Sequence, residues 1–118
     1  MSTNFLNSNE LLEKAITEKL YLNLVVQLQK DFTLANVDVN FTFDSKPKEI
    51  QDTLKEKIYF LILEKFMMYI NLMYIIDVPE KAFKEIKETD VVALAKQVSF
   101  LILKREWQKV WYKAKYNS

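Results

Sequence analysis

The 118-residue chain carries 17 basic and 16 acidic residues, half of it is apolar or aromatic, and it contains no glycine, histidine or cysteine. Without glycine there is no phosphate-cradling loop of the P-loop or dinucleotide kind and no nucleophile elbow. Without His and Cys it lacks the commonest metal ligands, the usual general base near neutral pH, Ser-His and Cys-His nucleophile pairs and every disulfide.

Average usage would give a chain of this length about eight glycines, and richness in Ile, Lys, Asn, Tyr and Phe points to an AT-rich coding bias as one cause of the blank. The length fits a single domain over residues 1–118 with enough apolar content for a real core. The last fifteen residues carry a net +4, leaving −3 for the first 103.

Residues 1–7 are expected to be loose. The start MSTNFLNSNE has neither a basic nor an apolar leader segment, so a cytoplasmic protein is the expectation. Asn7 and Glu10 form a capping-box-like pair that opens a first helix over about 8–30. Leu12, Ile16, Leu20, Leu24 and Leu28 line one face, while Lys19, Asn23, Gln27 and Lys30 line the other. The stretch LYLNLVVQL also alternates, so a strand competes over 20–28; the coherent polar stripe favours helix.

Between about 32 and 44 the helical period disappears. Val37, Val39, Phe41 and Phe43 alternate with Asp38, Asn40 and Thr42, which predicts an extended segment with one apolar side. It serves either as a strap across the helices or as an edge that pairs with its own copy in a dimer.

Ser45, Pro47 and Glu49 start a second helix over about 46–76. From Ile58 to Ile76 only Glu64, Lys65 and Asn71 are neither apolar nor aromatic. Nineteen helical residues span roughly 28 Å, close to a bilayer's hydrocarbon thickness. The adjacent Glu64 and Lys65 near the middle argue against a span, at on the order of 2.5–3.5 kcal/mol for a central charge. No membrane association is expected, and the helix reads as the central core element. Lys57, Glu64 and Asn71 are seven apart and form one polar seam along it. A carboxyl held inside an apolar bundle would have a raised pKa, so Glu64 with Asn71 is the one candidate for a small-molecule or acid/base site.

Asp77, Pro79 and Glu80 end that helix and begin a short third one over about 79–87. Thr89 or Asp90 caps a fourth over about 90–116. Its first half presents Val91, Leu94, Val98 and Leu101. Phe100, Leu103, Trp107, Val110 and Ala114, joined by Trp111, follow a three-four spacing on the other side. Either several helices of the same bundle cover the two stripes, or one stripe is an interface.

The expected fold is therefore all-α: a small helical bundle of three long helices and one short. The expected function is protein–protein contact, as a homodimer without catalytic activity, cofactor or metal. The interface candidates are Phe100, Leu103, Trp107, Val110 and Trp111, together with Val37, Val39, Phe41 and Phe43 on the extended segment. Met67, Met68, Met73 and Tyr112 supply further residue types that interfaces favour. The rival reading is a nucleic-acid-binding module using the basic, aromatic C-terminus, with Lys104, Arg105, Lys109, Lys113 and Lys115 against phosphates. Helix C-termini attract cations in any case.

Overall fold

Six helices form in the computed structural model, which describes residues 4–116: α1 (Ser8–Thr17), α2 (Tyr21–Leu34), α3 (Pro47–Glu64), α4 (Phe66–Ile76), α5 (Glu80–Lys84) and α6 (Val91–Tyr116). The all-helical bundle is as expected, and no strand occurs among the described residues. Two of the expected long helices are each divided in two.

The first division follows from chain geometry at Lys19, whose φ of 62° is left-handed. Lys19 N–H donates to the Ile16 carbonyl and Leu20 N–H to the Ala15 carbonyl, the paired bonds of a Schellman motif. The same pattern recurs at Asn36 (φ 61°), where Asn36 bonds Thr33 and Val37 bonds Phe32. It recurs again at Asp77 (φ 68°), where Asp77 bonds Tyr74 and Val78 bonds Met73. Each left-handed residue is followed by an apolar one, Leu20, Val37 or Val78, that packs into or against the core. Helix ends that glycine usually makes are made here by lysine, asparagine and aspartate.

The second division, at Lys65, has a packing cause. Ile50, Leu54, Ile58 and Leu61 are the buried line of α3, and at 100° per residue a straight helix would bring Lys65 next onto that line. Instead Lys65 leaves helical geometry at φ −140°, ψ 58° and stays exposed, and α4 buries Tyr69, Leu72, Met73 and Ile76. An ammonium would be expensive in that core; the break keeps it in water.

The centre of the bundle is α6, not the Ile58–Ile76 stretch. It packs against all five other helices and buries Ala95, Val98, Ser99, Ile102, Leu103, Glu106, Trp107 and Val110. Neighbours on several sides cover both of its apolar stripes. Asp90 starts it, its Oδ2 accepting from Ala93 N–H at 3.3 Å. The short helix is confined to Glu80–Lys84. Asp77 does not cap it: Arg105 of α6 donates to the Asp77 carbonyl at 2.9 Å and to its carboxylate at 3.0 Å, tying the end of α4 to α6.

Residues 37–43 form the expected strap, shorter than the 32–44 of the sequence reading because α2 continues to Leu34 with Phe32 in the core. Val37, Val39 and Phe41 are buried, Phe41 N–H donates to Gln29 Oε1 at 2.9 Å, and the Phe41 ring stands edge-on to Phe32 at 6.4 Å. The alternation fails at Phe43, which is 74% exposed. A tight turn intervenes, with Ser45 N–H donating to the Thr42 carbonyl and Ser45 Oγ accepting from Thr42 N–H, both at 2.9 Å. Ser45 therefore closes this turn rather than capping α3. Lys46 takes the cap position, and its N–H donates to Glu49 Oε1 at 3.2 Å.

Among the described residues, no helix is long and apolar enough to cross a membrane.

Candidate functional site

Two features stand out from the packed scaffold: a buried charge cluster between α2 and α6, and an uncovered apolar corner where α3 meets α4.

The buried cluster is built from Gln27 and Asp31 on α2 and Glu106 and Lys109 on α6. Lys109 Nζ lies 2.6 Å from Asp31 Oδ2 and 2.8 Å from Glu106 Oε1, and Gln27 Nε2 donates to the same Asp31 oxygen at 3.1 Å. Asp31 is 4% exposed and Glu106 fully buried. One lysine cannot neutralise two carboxylates, so the two acids separate in character. Burial and the neighbouring Asp31 push Glu106 up to about 9, well above the carboxylate range, and Lys109 only partly opposes this. Burial also works to raise Asp31, but hydrogen bonds involving Glu106, Lys109 and Gln27, with the Lys109 charge, outweigh it and leave Asp31 below its ordinary value. At neutral pH the cluster is thus an Asp31–Lys109 ion pair beside a protonated Glu106. The buried Trp107 Nε1 has no hydrogen-bond partner among the described residues. Among those residues no group of three or more acidic side chains forms a cage for a metal ion.

The cluster was not expected from the sequence. Its signal is the buried line Ala95, Ser99, Ile102, Glu106 on α6, spaced four, three and four. That spacing places a carboxyl where a core side chain belongs.

The uncovered corner carries Tyr59, Phe60 and Leu63 at the end of α3 and Phe66 and Met67 at the start of α4. These are 40, 49, 50, 54 and 76% exposed respectively. In the sequence they flank Glu64 and Lys65, and a groove of about 550 Å³ is lined by Thr53, Glu56, Lys57, Tyr59 and Phe60.

The sequence-expected sites fare differently. Leu103, Trp107 and Val110 are in the core, and Phe100 and Trp111 are partly buried against it; the α6 stripe is covered by the chain's own helices. Val37, Val39 and Phe41 are likewise internal, and only Phe43 of that set faces solvent. Met73 is fully buried, whereas Met67 and Tyr112 are exposed. The polar seam does not form. The break at Lys65 separates Glu64 from Asn71, and both are exposed, so Glu64 lacks the desolvation on which its acid/base reading rested.

The basic patch is dispersed as well. Arg105 holds Asp77, Lys109 holds Asp31, Lys104 lies over the Phe100 ring at 5.3 Å and Lys115 over the Trp111 ring at 5.6 Å. A continuous phosphate-binding face needs those cations turned outward together.

In comparisons with known proteins, the chain matches no family model, no curated protein and no solved structure.

Proposed function

We propose that this protein acts through protein–protein contacts as a cytoplasmic homodimer without catalytic activity of its own, pairing across the α3–α4 corner. The observation that carries the reading is the run of five large apolar side chains, Tyr59, Phe60, Leu63, Phe66 and Met67, left outside the core within nine residues of chain. Large apolar side chains concentrated at the surface mark interaction sites, and aromatic residues and methionine are the types that interfaces favour.

A second copy suits the corner better than an unrelated partner because the charges at its centre are self-complementary. A two-fold axis passing between Glu64 and Lys65 sets each copy's carboxylate opposite the other's ammonium, as an isologous interface requires. The corner takes over the interface role that the sequence suggested for the stripe of α6.

Light scattering over a concentration series tests this. The expected result is a mass that rises toward twice that of one chain, and reverts to one chain in Leu63→Glu at unchanged helicity. A monomer at every concentration refutes the homodimer.

A further inference from the structure

A second uncovered face lies on α2. Leu22 and Val26, four residues apart and therefore on one side of the helix, are 51 and 59% exposed. They form a ridge with a groove on each flank. One groove, about 540 Å³, lies between this ridge and Val110, Lys113 and Ala114 of α6. The other, about 500 Å³, lies between the ridge and Phe41, Thr42 and Phe43 of the strap, with Lys30 on its rim. An apolar ridge with a groove on either side is the relief that helices present to one another when they pack.

The charged side chains that line the two grooves have one sign. Lys30 and Lys113 are the charged residues lining the two grooves, and no carboxylate lines either. Neither lysine takes part in an ion pair among the described residues. Two nearby acids are drawn inward, Asp31 being buried and bound to Lys109 and Glu106 enclosed in the same cluster, while Asp44 is exposed in the turn beside Phe43 but lines neither groove. Phe43 adds to the face, held outward by the Thr42–Ser45 turn.

We infer that the exposed face of α2 is a docking site for an acidic amphipathic helix of a partner protein, whose apolar stripe straddles Leu22 and Val26 and whose carboxylates meet Lys30 and Lys113. Charge complementarity selects this occupant. A second copy of the chain approaching through the same face would set lysine against lysine, a juxtaposition that like charges oppose. A helix is the form that supplies apolar groups at three- and four-residue spacing to fill both grooves while keeping its acidic side in water. The site does not depend on the α3–α4 corner.

The test uses a fluorescein-labelled helical probe of about eighteen residues, with leucines at i, i+3, i+4 and i+7 and glutamates elsewhere, titrated with the full chain and read by anisotropy. Saturable binding that weakens as salt rises is expected, because rim charges are screened. Val26→Glu should weaken it by about tenfold or more, and Lys30→Glu with Lys113→Glu should do likewise, each about 1.4 kcal/mol. Circular dichroism of these surface variants should match the parent. Three results would overturn the assignment: a lysine-substituted probe that binds equally well, binding untouched by Val26→Glu, or capture by phosphatidylserine vesicles with no affinity for the acidic probe. The last would make the face a membrane-surface site. Leu63→Glu should leave probe binding intact, so failure here and failure of the dimer are separable.

Discussion

Lys109 on α6 places its ammonium 2.6 Å from the carboxylate of Asp31 on α2, 78 residues earlier in the chain. That contact joins α2 to α6, and because Lys109 is shared it leaves Glu106, 2.8 Å away, without a cation of its own. Breaking a buried pair by removing one partner is costly because the other charge stays behind.

The pH dependence of stability follows from the two acids. Glu106 ionises near 4.5 when solvated and at about 9 in the folded chain. Between those values the folded state keeps a proton that the unfolded state has released. The contribution of Glu106 is therefore full below about pH 4.5, declines as pH rises, and is lost through about pH 9. Asp31 runs the other way, its folded value lying below 3.8; its contribution is present above that value and disappears as acid protonates it. Glu106→Gln removes the alkaline decline and should stabilise the chain by about 2–3 kcal/mol near pH 7. Urea midpoints for both proteins near pH 5 and near pH 9 measure this. An unchanged slope in the Gln variant would assign the decline to another group.

Trp107 separates a core role from an interface role. It is 1% exposed and among the largest fully buried side chains. Trp107→Ala should cost about 3–5 kcal/mol through lost transfer energy and an unfilled cavity. Thermal unfolding followed by circular dichroism would show it, with the loss independent of protein concentration. A stable, folded variant whose only change was weaker self-association would return Trp107 to the surface.

Lys19 offers a gain. A left-handed conformation costs an L-residue with a Cβ about 1–2 kcal/mol, and glycine is free of that cost. Lys19 is exposed and makes no side-chain ion pair among the described residues. Lys19→Gly should therefore raise unfolding free energy by about 1 kcal/mol, after the extra entropy of glycine in the unfolded chain is offset. Chemical denaturation decides it; a loss of stability would mean that Lys19 is held there at no cost.

What could be read from the sequence was local. Asn7 accepts from Glu10 N–H at 2.9 Å, Asp90 opens α6, and the strap alternates from Val37 to Phe41, because caps and alternation depend on neighbours in the chain. The divisions at Lys19 and Lys65 were harder. Schellman turns usually announce themselves through glycine, and here they do not. Lys65 did leave a trace, falling on the core-facing line after Ile50, Leu54, Ile58 and Leu61. Reading Ile58–Ile76 by composition alone hid it. The buried cluster needed tertiary knowledge, since nothing near Asp31 in sequence names Lys109 as its partner.

The three glycine-free turns have a consequence for how the bundle comes apart. A glycine turn holds its shape without help, so helices that end in one fray independently of the core. Lysine at Lys19, asparagine at Asn36 and aspartate at Asp77 need the packing of Leu20 against the core and the burial of Val37 and Val78 to keep them left-handed. The ends of α1, α2 and α4 are thereby pinned to the interior, and their amides should exchange with solvent through the global opening rather than by local fraying.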